Sequence, residues 1–405
     1  MSSQQAENAA SSSSRPFSSP LLPIFLVVAV DVLGMTLILP LLPFYTERLG
    51  ASPTVVGALV SIYALCQLVA GPYLGRLSDR VGRRPVLLVS QIGTLIGFIV
   101  LALAHQIWVI FLSRMIDGAT AGNLTIAQAY ISDVTAPENR AKSFAVIGIA
   151  FGLGFMVGPG ISGYLAALNY VYPIIAAAAL SALSILCTYF LLPRREAVHI
   201  ENEANPGPGG KRLGLFEWGG YGKYFAQPEM RRMLLKWFLF AFSFSTFMSE
   251  FALFAERRYF WHGRPFGVRE VGYVFALNGF IGIIMQGGMV GRLVKRYGEA
   301  KLVRYGFLAS AIGYIATGFT YSVSTLVAVS TFMSIGSSGL RPALTSMISQ
   351  KADRRETGVV IGLTQSLTSI AQITAPIIAG AMISAHWLTA WAVWSGLIAA
   401  LALLF

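Results

Sequence analysis

Apolar runs long enough to cross a bilayer recur twelve times in this chain. They fall at 21–45, 54–75, 85–104, 107–130, 143–167 and 170–192, then at 233–255, 268–290, 301–320, 323–348, 357–383 and 387–405. A helical span needs roughly 20 apolar residues, so 405 residues accommodate twelve spans with short connections. Only 12% of the residues are charged, about half of what a water-soluble domain carries, which is roughly 25%. With 55% hydrophobic residues and a mean hydropathy of +0.65, the solvent must be largely lipid. The expected fold class is an all-α integral membrane protein of twelve transmembrane helices.

Two stretches depart from that pattern. Residues 1–20 are rich in Ser, Ala and Gln, which cannot bury a core, and read as a disordered cytoplasmic lead. Residues 193–232 hold Pro206-Gly207-Pro208-Gly209-Gly210 and much clustered charge, and read as a cytoplasmic linker. The domains expected are therefore six-helix bundles at 21–192 and 233–405. The first apolar run is too long for a signal peptide and has many equals, so it should stay as a span. With the amino terminus inside, 23 of the 30 Lys and Arg residues fall in cytoplasmic segments, as the positive-inside rule requires. The net charge of +12 is then a matter of topology, and nucleic acid is not an expected partner.

The halves echo each other. Gly75-Arg76-Leu77-Ser78-Asp79-Arg80-Val81-Gly82 returns 216 positions later as Gly291-Arg292-Leu293-Val294-Lys295-Arg296-Tyr297-Gly298, with five of eight residues identical. Arg140 and Gly148 pair with Arg354 and Gly362 at a spacing of 214. Two near-equal offsets favour a duplicated six-helix unit, a common way of building a transporter around a central site.

Several chemistries are excluded early. Cys66 and Cys187 lie in apolar runs, so a disulfide framework or thiolate cluster is not expected. His105, His199, His262 and His386 fall at helix ends or in connections, which argues against a histidine metal site or an intramembrane histidine relay. There is no nucleotide-binding glycine loop and no credible nucleophile–base pair. No enzyme, metal or cofactor is expected, and energy should come from a gradient.

What remains is charge in the wrong solvent. Asp31, in Asp31-Val32-Leu33-Gly34-Met35-Thr36-Leu37-Ile38-Leu39-Pro40, is a carboxylate near mid-membrane. Such a group titrates, binds a cation or takes a structural hydrogen bond. Arg114 and Asp117, three residues apart, share a helical face and form either a self-neutralised structural pair or a working one. Glu250 and Arg341 are further intramembrane charges, with a mutual ion pair as one reading of them. Asn123, Gln128, Asn278 and Gln365, with Gln67, Gln286 and Gln372, supply hydrogen bonds. In the fifth span, Gly148/Gly152 and Gly154/Gly158 are small-residue pairs that let another helix approach, and Pro159 bends the helix before Gly163.

The string from Gly75 through Asp79, Arg80, Gly82 and Arg83 to Arg84-Pro85 resembles the signature loop of the major facilitator superfamily. That resemblance implies two pseudo-symmetric six-helix bundles and a conformational latch in which Asp79 and Arg83 are the working pair. Arg114 followed by Gly118 is similar to a superfamily motif whose arginine serves proton coupling. The run Gly148 to Gly163 is similar to the motif of its exporting, antiporter branches, with Ser162 in place of a usual glycine. Glu250 and Arg341 fall on spans that line the cavity in this superfamily, which makes them substrate or proton candidates. Within the superfamily the first 165 residues look most like tetracycline/proton antiporters and their drug/proton relatives. The chain departs from them at Gly97, where an aspartate is usual, and at Gly282, where a histidine is usual.

The expectation is a secondary active exporter of small amphipathic organic molecules, driven by protons through Asp31, Arg114 and Asp117. A proton symporter or facilitator for a sugar, organic anion or other metabolite is the alternative, with Arg341 holding an anionic group. The expected partners are a small-molecule substrate, protons and the lipid bilayer, the expected state a monomer, and the expected location a bacterial inner membrane with both termini cytoplasmic.

Overall fold

A computed structural model describes residues 21–135, 140–192, 218–352 and 357–405. The expected lead at 1–20 and residues 193–217 of the expected linker lie outside the described residues.

Each apolar run is helical. In the first half the spans are Leu21–Ile38 continued by Leu41–Arg48, Pro53–Val81, Arg83–Ala102, Ile107–Ala119 continued by Asn123–Val134, Arg140–Leu168 and Tyr172–Leu191. A short helix, Trp218–Ala226, precedes the second half. There the spans are Pro228–Arg258, Val268–Ile284 running through a π turn at Met285–Met289 into Val290–Tyr297, Glu299–Gly318, Val323–Ser337 continued by Leu340–Lys351, Thr357–Ser384 and Leu388–Leu401. The seventh helix thus begins at Pro228, inside the stretch read as linker, because Pro at the first helical position is pre-set for a helix and needs no donor.

By length and composition alone eight of these helices can cross a membrane, nine with the first pair bent by 40° at Leu39-Pro40. The other three fall short for visible reasons. The fourth carries Arg114, Asp117 and Asn123, the ninth begins with Glu299, Lys301 and Arg304, and the twelfth is a shorter apolar helix.

Local chemistry sets the joints. Ser52 caps the second span by accepting from Val55 N, with Pro53 next. The repeated loop closes both times on a glycine with positive φ, 101° at Gly82 and 80° at Gly298, a backbone that a side chain would strain. Between the seventh and eighth spans a two-stranded hairpin pairs Phe260–Trp261 with Arg264–Pro265.

The core shows how the halves meet. One apolar cluster runs from Leu37–Tyr45, Val56 and Leu59 of the first half into Phe247, Phe254, Tyr314 and Trp391 of the second. A separate cluster around Ile24, Val28, Leu87, Ile126 and Ile131 contains residues of the first half alone. The halves are therefore sealed at the end that carries residues 48–53, 168–172, 259–267 and 384–388.

Glycines make that seal. A Cβ on Gly380 would lie 2.9 Å from Thr54 Cα, one on Gly163 2.7 Å from Arg269 Cα, and one on Gly279 2.6 Å from Met156 N. A Cβ on Gly57 would strike the carbonyl of Pro376. Thr54 and Ser384 hydroxyls hydrogen-bond at 2.9 Å across the same seam. Toward the other end, Gly148, Gly282, Gly287, Gly288 and Gly362 have no atom of a described residue within 4 Å of such a Cβ. The helices that touch at the sealed end diverge there.

Candidate transport site

Both halves break a span at equivalent places. The fourth is interrupted between Ala119 and Asn123, the tenth between Ser337 and Leu340. Gly122 and Gly339, at the second helix of each pair, are 217 positions apart, in step with the offsets of the repeat. Interrupted helices expose backbone polar groups that must find partners. Gly122 N donates to Ser90 Oγ at 2.9 Å, and Ser90 Oγ in turn donates to the Thr120 carbonyl. Paired breaks of this kind are where transporter folds place their binding sites.

The intramembrane charges of the first half gather at the fourth-span break. Arg114 Nη1 lies 3.4 Å from Asp117 Oδ2, both side chains buried, with a second contact from Arg114 Nη2 to Ser113 Oγ at 3.2 Å. Ser113 Oγ donates to the Gly97 carbonyl at 2.8 Å, which fixes the third span against the fourth. Tyr63 of the second span and Thr94 of the third stand beside the Asp117 carboxyl. Around Asp31 stand Ser184, Gln91 and Asn123, hydrogen-bonding groups from the sixth, third and fourth spans, and Asp117 interacts with it electrostatically. Gln91 Nε2 donates to Ser184 Oγ at 2.7 Å. Gln91 Oε1, Arg114 Nε and Asn123 Oδ1 are buried without a hydrogen-bond partner among the described residues.

Asp31, Arg114, Asp117 and Asn123, separate in sequence, are thus one polar cluster. Gln91, Ser184, Tyr63 and Thr94 complete it and were not among the residues expected. An amide interrupting the apolar run Val86–Phe98 was the available signal for Gln91; nothing in the sequence singled out Tyr63 or Thr94 from other half-polar residues of the spans.

The second half is arranged differently. Glu250 is fully buried and neither carboxylate oxygen has a hydrogen-bond partner among the described residues; its charged neighbours are Arg257 and Glu47 near the sealed end. It does not pair with Arg341, which corrects the ion-pair reading: the two sit on different levels, one toward the sealed end and the other at the tenth-span break. Arg341 is exposed, as are Gln128 and Gln365, and none of these side chains makes a hydrogen bond or ion pair with another described residue. Asn278 is half-buried, with Oδ1 unpartnered.

In the signature loop, Arg83 collects three acceptors. Nη1 lies 2.5 Å from Asp79 Oδ1 and 2.7 Å from Ser78 Oγ, and Nε lies 2.8 Å from Asp133 Oδ2 at the end of the fourth span. Gly75 packs loosely on Thr125, and Arg80 is exposed. The glycine series of the fifth span divides by face. Gly154 and Gly158 receive Val32 and Thr36 of the first span, and Thr36 Oγ1 donates to the Gly154 carbonyl at 3.0 Å. Gly163 and Pro159 receive Arg269 and Gly272 of the eighth, and a Cβ on Gly152 would lie 3.0 Å from the Ile283 side chain. A Cβ on Gly148, expected as half of a helix-contact pair, would meet no described atom within 4 Å in this conformation. Ser162 stands where a glycine is usual and donates to the Leu37 carbonyl at 2.5 Å.

The whole-chain comparisons agree with this architecture. The profile described as Major Facilitator Superfamily matches residues 24–299 and 263–405. The chain is 30% identical over 383 residues to the tetracycline resistance protein, class C, of Escherichia coli, covering 94% of this chain and 92% of that one. It is 25% identical over 354 residues to multidrug resistance protein 2 of Bacillus subtilis, covering 87% and 86%. The crystal structure of the human organic anion transporter MFSD10 (TETRAN) superposes with a TM-score of 0.71 at 24% identity, over 95% of this chain and 98% of that one. A multi-pass helical membrane protein with two bundles meeting around paired broken spans is a transporter in form. The chain belongs to the Major Facilitator Superfamily.

Proposed function

We propose that the protein is a proton-driven exporter of small amphipathic organic molecules, with the polar cluster at Asp31 as its coupling site. The observation that carries this reading is the charge count inside that cluster. It holds two carboxylates, Asp31 and Asp117, against one guanidinium, Arg114. With both acids ionised one negative charge is left over in a low-dielectric interior, a costly arrangement. A proton can neutralise it, and so can a cationic or strongly polarised substrate. Competition between the two for one place is the elementary requirement of antiport. Resemblance to proteins named for tetracycline and multidrug resistance supports export of amphipathic molecules over uptake of a metabolite.

The working cycle is alternating access. The Lys and Arg distribution puts the sealed end on the outer side, so the cluster faces the cytoplasm in this conformation, with both termini inside. Arg341 at the tenth-span break and Glu250 nearer the seal contribute the substrate cavity together with Gln128, Asn278 and Gln365. Arg83 with Asp79 acts as the latch of the inner end, and the Gly152–Gly163 face of the fifth span as the sliding surface. A single chain holds both halves of the pathway and works as a monomer, in a bacterial inner membrane, with a gradient as its energy source and no covalent chemistry.

The test is proton flux in proteoliposomes with an imposed pH gradient, challenged with lipophilic cations, anions, sugars and antibiotics. One amphipathic class should dissipate the gradient through the wild type and not through Asp31→Asn. Equal transport against a gradient by both proteins overturns the assignment of coupling to this cluster.

A further inference from the structure

At the end opposite the seal, the ninth span begins with Lys301, Arg304, Tyr305 and Leu308, at i, i+3, i+4 and i+7 and therefore on one helix face. With Leu403 at the end of the twelfth span they line a cavity of about 420 Å³. Lys301 and Arg304 are exposed and pair with no carboxylate among the described residues. Glu299, the acid closest in sequence, is turned away: its carboxylate accepts from Ser346 Oγ at 2.6 Å and Gln350 Nε2 at 3.2 Å on the tenth span. Among the described residues the two cations thus stand beside a hydroxyl and two leucines with no carboxylate against them.

The groove continues in apolar form. Along the ninth span Leu308, Ile312 and Phe319 are exposed, and along the twelfth Trp394, Leu397, Leu401 and Leu404. The opposite face of the ninth span, with Ala311, Tyr314 and Thr317, is buried in the core of the second half. The exposed stripes therefore look outward into lipid. A ligand that matches both parts has an anionic group at one end and long apolar chains at the other. Free phosphate would satisfy the cations and leave the stripes unused.

We propose that the groove between the ninth and twelfth spans is a binding site for one anionic phospholipid. The phosphate sits between Lys301 and Arg304 and accepts from the Tyr305 hydroxyl, and the acyl chains lie along Leu308, Ile312, Leu403 and Leu397. Basic pockets between helices at the cytoplasmic side recognise such headgroups by charge, each Lys or Arg adding to the attraction. The site is on the outer face of the second half, away from the Asp31 cluster, and does not depend on the transport reading.

Native mass spectrometry of the detergent-purified full chain tests this, titrated in separate arms with dioleoylphosphatidylglycerol, dioleoylphosphatidylcholine and inorganic phosphate. One phosphatidylglycerol should be retained at concentrations where phosphatidylcholine is lost. Lys301→Gln/Arg304→Gln should bind it about tenfold more weakly. Lys295→Gln/Arg296→Gln, which removes the same charge at the same end but outside the groove, should bind it like the wild type. Leu403→Asp, placing a carboxylate in the groove from the other helix, should show the same loss and serves if the first double variant does not fold. Equal retention by wild type and Lys301→Gln/Arg304→Gln, or an equal loss in Lys295→Gln/Arg296→Gln, overturns the site. Inorganic phosphate displacing the lipid at matched concentration overturns its assignment to a phospholipid.

Discussion

Arg257 of the seventh span and Glu47, on the bent outer segment of the first, meet across the seam between the two halves, with Arg257 Nη2 2.6 Å from Glu47 Oε1. Arg257 Nη1 also donates to the Leu253 carbonyl at 3.1 Å. Pro40 makes the meeting possible, because the bend there re-aims Leu41–Arg48 toward the second half. Arg48, the next residue, lies over the Tyr170 ring at 4.2 Å. The sealed end cannot open without parting the Arg257–Glu47 pair.

Arg257→Gln should therefore favour the outward-open state. A partly exposed pair of this kind contributes about 1 kcal/mol, a shift of roughly fivefold in the open-to-closed ratio. A cysteine placed at Ser384 should react faster with a membrane-impermeant thiol reagent in the Arg257→Gln background. An unchanged rate would mean that glycine packing alone holds the seal.

Glycines of the second, eighth and eleventh spans divide into positions that tolerate a methyl group and positions that do not. Gly57→Ala puts a Cβ into the Pro376 carbonyl, and Gly380→Ala puts one 2.9 Å from Thr54 Cα. Backbone cannot step aside as a side chain can, and overpacking of this kind costs about 1–3 kcal/mol. Both variants should lose roughly tenfold or more of transport while inserting normally. Gly282→Ala, in open space, should transport within about twofold of the wild type. Initial rates of substrate uptake into inverted vesicles, normalised to protein, check all three.

The architecture was legible because bilayer thickness fixes helix length. The runs at 54–75 and 85–104 predict Pro53–Val81 and Arg83–Ala102 within a turn or two, and the excess lies at the ends that carry Arg76 to Arg84, charges that favour water over hydrocarbon. The helix breaks at Gly118-Ala119-Thr120-Ala121-Gly122 and Gly336-Ser337-Ser338-Gly339 were not legible, since hydropathy averages over the few residues that leave the helix. The charges Asp31, Arg114 and Asp117 could be named because lipid makes any charge conspicuous. Their neighbours Tyr63, Ser184 and Thr94 could not, because which helix faces turn toward one another is a property of tertiary packing.

Gly97 shows how that packing decides chemistry. A Cβ there would lie 3.1 Å from Asp117 Cβ and 3.3 Å from the Ser113 carbonyl. An aspartate at this place, usual in the relatives this chain resembles, would set a second carboxylate against Asp117 in a crowded interior. Gly97→Asp should be destabilising by about 2–4 kcal/mol through overpacking and an uncompensated charge, with Gly97→Ala clearly milder. Thermal denaturation in detergent ranks them. A Gly97→Asp protein as stable as the wild type would mean that the third and fourth spans separate readily here.

Arg83 offers the sharpest test of geometry over charge. Its Nη1 and Nε address Asp79, Ser78 and Asp133 from different sides of one planar group, tying the second span, the third span and the end of the fourth together. A lysine at 83 keeps the charge but is a single point on a flexible stem, so it cannot serve both carboxylates with the fork geometry of a guanidinium. Arg83→Lys should lower the stability of the detergent-solubilised protein by about 1–3 kcal/mol, the range for a charged hydrogen bond left unmade, and should slow transport. Removing Asp133 should then cost little further in the Arg83→Lys background, because that carboxylate has already lost its partner. A double-mutant cycle with Asp133→Asn measures this: strong coupling between the two changes assigns the work to the guanidinium fork, whereas simple additivity would show that Arg83 acts by its charge alone.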